Sequence, residues 1–218
     1  MAETTVVKKR GDHVLDHYVS SDQQFETAKL GMWVFLVTEI LMFGGLFMGY
    51  IAYRAWYPEL FLLASEQLDV FWGAINTVVL IASSFTVAMA IRSAQVNNQR
   101  WIVVNLAITI ALAFMFMVIK YIEYSHKWEL GIFPGSYYAY DGIAHDKANI
   151  FFSIYYMMTG LHGIHILIGI GLMTWLLVRA VKGHFHSEYY TPVEIVGLYW
   201  HLVDLIWIFL FPLLYLID

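Results

Sequence analysis

The chain contains no cysteine. That absence removes disulfides, iron–sulfur clusters, thiolate-bound copper and covalently attached c-type haem, so redox chemistry would rest on imidazole or on cofactors held elsewhere. Charge is scarce too: Asp, Glu, Lys and Arg make up 13% of the 218 residues, against 60% hydrophobic ones. Such a chain cannot hide its apolar surface in one water-soluble core, and its mean hydropathy of +0.63 makes lipid the expected solvent. No apolar run follows the basic triplet Lys8-Lys9-Arg10, so the amino terminus does not read as a cleaved signal peptide. Fixed-period repeats, glycine-rich phosphate loops and low-complexity tracts are missing as well, and no nucleic-acid partner is expected.

What the chain has instead is long apolar runs with a few polar residues inside them. From Ala148 to Val178 there is no Lys, Arg, Asp or Glu, yet His162 and His165 sit mid-span. The run exceeds the roughly 20 residues that cross a hydrocarbon core of about 30 Å. At about 100° per residue, His162 and His165 share one face while Gly160, Gly163 and Gly171 lie roughly opposite, where a neighbouring backbone could come close. Five such segments, about 30–53, 70–91, 101–124, 149–178 and 193–217, predict an all-α, polytopic membrane protein built as a five-helix bundle. Residues 1–28 read as a polar tail and 29–218 as the membrane domain.

An odd number of crossings places the two ends on opposite sides. Lys8, Lys9, Arg10, Lys29, Arg92, Arg100, Arg179 and Lys182 fall on the amino-terminal side, against Arg54, Lys120, Lys127 and Lys147 on the other. The positive-inside rule then makes the N-terminus cytoplasmic and puts Asp218 outside. The stretch 125–148, with Pro134-Gly135, Asp141-Gly142 and Tyr137-Tyr138-Ala139-Tyr140, reads as an external interfacial loop, with acidic Asp146 near its end. His13 and His17, interleaved with Asp12 and Asp16, have a spacing that suits a metal on a helix, but a solvated tail accounts for them without a third ligand; His184 and His186 read as solvated loop histidines.

An ionisable group at mid-bilayer costs at least a few kcal/mol, so it faces protein, water or a charged partner. Glu39 is such a group in the first segment, open to a helix-contact hydrogen bond or to proton handling. The second segment carries Gly73, Ala74, Asn76, Thr77, Ser83, Ser84 and Thr86, the small and hydroxylated residues of close helix packing in lipid. Lys120 and Glu123 stand three apart near the outer interface, where pairing or snorkelling explains them. Thr191-Pro192-Val193-Glu194 reads as a capping box. Glu194, Gly197, His201 and Asp204 also share one helix face, an inward polar stripe in which His201 could bond Asp204 or meet His162 or His165. Pro212 would kink or finish that helix. His162 and His165 project from one side of one helix and cannot bracket a haem; a mononuclear site of His162, His165 and His201, with Glu39 or Asp204 alongside, stays open beside a hydrogen-bonded packing network.

These stretches resemble subunit III of the haem–copper oxidases, the cytochrome c oxidase and quinol oxidase superfamily, in its five-helix bacterial form. The resemblance rests on Gly31-Met32-Trp33 with Thr38-Glu39-Ile40-Leu41-Met42-Phe43, Asn76-Thr77 to Ser83-Ser84, Thr159-Gly160-Leu161-His162-Gly163-Ile164-His165, and Tyr199-Trp200-His201-Leu202-Val203-Asp204-Leu205-Ile206-Trp207. It implies an accessory subunit without a redox centre, packed on a catalytic subunit I that carries haem and copper, with subunit II, other respiratory subunits and phospholipid as further partners. It also implies a bacterial cytoplasmic membrane, oxygen reduction coupled to proton pumping in the complex, and support of proton uptake and of subunit I stability. Glu39 is then the family's carbodiimide-reactive carboxyl, and His162, His165, Glu194, His201 and Asp204 its intramembrane polar network. Two departures stand out: the first two helices of the seven-helix form are absent, and Lys120 replaces a residue that is often a neutral amide. A haem-binding anchor, a nitric-oxide reductase accessory subunit and an independent transporter are the alternatives.

Overall fold

The computed structural model describes residues 18, 20–134, 138–140, 142–143 and 147–217. The spacing of His13 and His17 with Asp12 and Asp16, the triplet Lys8-Lys9-Arg10, and Gly135, Tyr137, Asp141, Asp146 and Asp218 lie outside them. The described chain forms six helices: α1 (Ser21–Trp56), α2 (Pro58–Ser65), α3 (Val70–Gln95), α4 (Gln99–Glu129), α5 (Ala148–Val181) and α6 (Thr191–Tyr215). All but α2 are long and apolar enough to cross a membrane, which matches the expected five crossings.

Several boundaries differ from the hydropathy pattern, for local reasons. The Ser20 hydroxyl accepts from the Gln23 N–H at 3.1 Å, so α1 starts at Ser21 and 21–28 is helix, not tail. Proline then holds Tyr57 out of the helical region, and α2 begins on Pro58, where a missing N–H costs nothing. This unforeseen helix occupies the expected external loop and buries Leu60 and Phe61, the latter against Phe151 at 5.1 Å between ring centroids. Helix α4 continues through 125–129, and Gly131 at φ 74° ends it while the Ile132 N–H closes on the Lys127 carbonyl. The capping box also gives way: Tyr190, not Thr191, stands at the α6 N-cap, and no side chain caps it. The Glu194 carboxylate turns instead to Lys29 of α1 at 2.8 Å, where a cation outcompetes a backbone N–H. Pro212 neither breaks nor ends α6, which runs on to Tyr215.

Helix α6 is the hub, packed on α1, α3 and α5. Its antiparallel register against α3 is set by two indole donors: Trp207 Nε1 reaches Thr77 Oγ1 at 3.1 Å and Trp200 Nε1 reaches Ser83 Oγ at 3.0 Å. The small α3 residues therefore serve packing, as their composition predicts. Close approach occurs at glycines other than those expected on α5. A side chain at Gly169 would collide with the Trp200 ring, and one at Gly197 would meet Ile91 at 2.6 Å. Around Gly160, Gly163 and Gly171 nothing lies within 4 Å among the described residues, so none of the described helices docks on that face of α5.

Gly169→Val is expected to destabilise the detergent-solubilised chain by about 1–3 kcal/mol through overpacking. Gly160→Ala should leave stability unchanged or raise it by up to about 1 kcal/mol through helix propensity. Thermal unfolding of both variants checks this, and equal losses at the two positions would contradict the packing.

Candidate functional site: polar groups at bilayer depth

Four groupings gather the polar residues of the spans. In the first, Glu39 Oε2 of α1 lies 2.8 Å from His165 Nε2 of α5. The other ring nitrogen, Nδ1, donates to the Leu161 carbonyl at 2.8 Å, the i−4 position of its own helix. With Nδ1–H committed there, Nε2 either accepts from the neutral carboxyl or, as imidazolium, donates to the carboxylate. The pair is net neutral both ways, so one proton can pass between them without changing the net charge held in lipid. Phe43 stands edge-on to the imidazole at 5.4 Å, and Tyr199 donates to the His165 carbonyl at 2.9 Å.

The second grouping lies across α6, on the α3 side. His201 Nδ1 is 2.7 Å from Ser84 Oγ, so the imidazole takes a serine rather than Asp204, His162 or His165. Asp204, 2% exposed, faces the Ser83 and Ser84 hydroxyls without closing a hydrogen bond to either. Both hydroxyls are already engaged, Ser83 with the Leu80 carbonyl and Trp200, Ser84 with His201. The inward stripe thus separates into three environments: Glu194 on Lys29, His201 on Ser84, and Asp204 enclosed.

His162 makes the third. Fully buried, it lies between the rings of Phe116 and Trp207 at centroid distances of 5.6 and 5.2 Å, and neither nitrogen finds a hydrogen-bond partner. Among the described residues no three His, Asp or Glu side chains converge as metal ligands. The trio His162, His165 and His201 is therefore not brought together.

The fourth grouping is the densest. Lys120 Nζ donates to Glu123 Oε2 at 2.7 Å and to the Tyr215 hydroxyl at 2.5 Å. Lys127 Nζ donates to Glu123 Oε1 at 2.6 Å, and Oε1 also accepts from Tyr155 at 2.8 Å and Tyr215 at 2.7 Å. Lys120 and Glu123 are each 7% exposed, and the ammonium sits 4.5 Å over the Trp207 ring, so the lysine points inward and does not snorkel. Sequence spacing finds the Lys120–Glu123 pair but misses Lys127, Tyr155 and Tyr215. The i,i+4 order of Glu123 and Lys127 is the one local signal that could have added a member.

The family described as cytochrome c oxidase subunit III matches residues 16–218. The chain belongs to the cytochrome c oxidase subunit III family. It is 35% identical over 201 residues to the cytochrome c oxidase subunit 3 of Thermostichus vulcanus, covering 87% of both chains. It is 33% identical over 198 residues to the probable cytochrome c oxidase subunit 3 of Mycobacterium leprae, covering 86% of this chain and 87% of that one. A heme-copper oxidase subunit I+III of Aeropyrum pernix is 30% identical over 197 residues, which are 85% of this chain and 22% of that longer protein. Subunit III is an accessory subunit of haem–copper oxidases, and the five crossings make this member a multi-pass membrane protein.

The fourth grouping sets two ammonium groups against one carboxylate. Glu123→Gln is expected to cost about 3–5 kcal/mol, because both cations lose their buried partner. Lys120→Met should cost clearly less, since Lys127 still neutralises Glu123. Unfolding of the two variants in detergent gives the order, and the reverse order would refute the described division of charge.

Proposed function

We propose that this chain is the non-redox subunit III of a bacterial terminal oxidase, with haem and copper held by subunit I, its main contact, and with subunit II and phospholipid as further neighbours. It has no catalytic centre of its own in this reading. The observation that carries it is the Glu39–His165 bond at bilayer depth: the imidazole nitrogen left over by the Leu161 carbonyl is already taken by a carboxyl. His201 is turned to Ser84, and His162 is sealed between two aromatic rings with no room for a porphyrin face. Imidazoles so disposed serve helix contacts and proton placement, not ligation. The fused subunit I+III protein supports a direct seat on subunit I, because there the two share one polypeptide.

In the cytoplasmic membrane the basic residues favour an N-terminus on the cytoplasmic side and a C-terminus outside. Glu39 and His165 would hold a proton near the partner, assisting its uptake, while Glu194, His201 and Asp204 keep the surrounding helices in place. Oxygen reduction and proton pumping belong to the assembled complex.

Purification from membranes through a tag on this chain is expected to bring down a haem–copper subunit, and the dissociated chain should show no Soret band. Glu39→Gln should leave assembly and haem content intact while lowering proton-uptake rate or the number of turnovers before inactivation. A stoichiometric Soret band on the isolated chain, or loss of haem from the variant complex, would overturn the reading.

A further inference from the structure

His201 stands about 15 Å along the axis from the start of α6 and about 21 Å from its end, near the middle of the crossing. Its two ring nitrogens meet different fates. Nδ1 is bonded to Ser84, whereas Nε2 has no partner among the described residues and is not enclosed, because the side chain is only partly buried. The residues flanking it on the outer surface are apolar and exposed: Ile81 and Phe85 of α3, Leu205 and Ile208 of α6. A single hydrogen-bonding atom thus reaches the surface at mid-bilayer within an apolar field. His162 is also unpartnered but fully enclosed, and Glu39 and His165 satisfy one another. His201 is the residue that faces outward unsatisfied.

We infer that the α3–α6 face around His201 is the seat of a transmembrane helix from another subunit, which presents a hydroxyl, amide or carboxyl to His201 Nε2. Acyl chains offer no hydrogen bond, and headgroups lie at the interfaces, about half a hydrocarbon thickness away. A polar side chain on a packed helix is the occupant that reaches this depth without leaving its own polar atoms in lipid. Ser84 Oγ can either donate or accept, so the imidazole tautomer can adapt to a donor or an acceptor on the partner. The inference rests on the reading of this chain as an oxidase subunit and adds the face by which it is held.

The test is photo-crosslinking in the intact membrane complex, with a benzophenone side chain at Leu205 and, on a different face, at Phe114 of α4. The expected result is a protein adduct from Leu205 to a membrane helix of the haem–copper enzyme, mapped by mass spectrometry. His201→Leu should reduce retention of the chain through detergent washing about fivefold, the scale of one interhelical hydrogen bond in a membrane, and His201→Gln should restore most of it. Co-purification with Leu205 adducts only to lipid or to a second copy of this chain would overturn this inference alone. So would equal retention of the Leu and Gln variants. Failure to co-purify with a haem–copper subunit would instead overturn the functional reading, and this inference with it.

Discussion

Hydrocarbon supplies no hydrogen bonds, so each polar group carried into the bilayer needs a partner brought by the protein. Much of this chain answers that constraint, while Asn76, His162 and Asp204 are buried without such a partner. Glu39 and His165 come from helices far apart in sequence and close on one another at 2.8 Å. Glu123 gathers two lysines and two tyrosines, whose four donors replace the water a carboxylate would otherwise hold. Even the tryptophans obey it: each buried indole of α6 places its N–H on an α3 hydroxyl. Polar contacts set the register, and apolar contacts fill the space between them.

Packing explains why α6 can carry so many of these groups. Between helices in lipid there is little hydrophobic gain, so association rests on close fit and on interhelical hydrogen bonds. Gly169 lets the Trp200 ring lie on the α5 backbone, and Gly197 admits Ile91 and Val87. With those contacts made, α6 is surrounded on three sides, and its free strip runs through His201, Leu205 and Ile208. Helix α1 is held more loosely, by Lys29 on Glu194 at one end and the Tyr50 hydroxyl on the Leu213 carbonyl at the other, with Glu39 between them.

Hydropathy made the five crossings legible because length and polarity are properties of a single segment. The polar pairings were not legible, because they depend on which helix faces which. On a wheel, His201 and Asp204 share a face and look like partners, yet Ser84 of α3 lies nearer the imidazole. Thr191 and Glu194 have the spacing of a capping box, but a lysine 165 positions earlier takes the carboxylate. Helix α2 is not legible in the sequence because eight residues give too short a run to separate from a loop, although Pro58 marks its start. Gly160, Gly163 and Gly171 have the spacing of a close-packing face, but among the described residues that use falls to Gly169.

The Lys120 position illustrates how an additional buried charge is absorbed. An amide there would donate to Glu123 and add no charge; an ammonium adds one, at a site already holding Lys127 and enclosed by Trp207 and Tyr215. The aromatic faces and the two tyrosine hydroxyls answer that excess, because ring quadrupoles and hydroxyl dipoles stabilise a cation where water is excluded. The cluster ties α4, α5 and α6 together at one end of the bundle, while Thr86 and Thr109 join α3 to α4 deeper in. The bundle is thus closed by polar contacts at one end and along α6, with the Glu39–His165 bond between α1 and α5. That leaves α1 as the least enclosed crossing of the bundle.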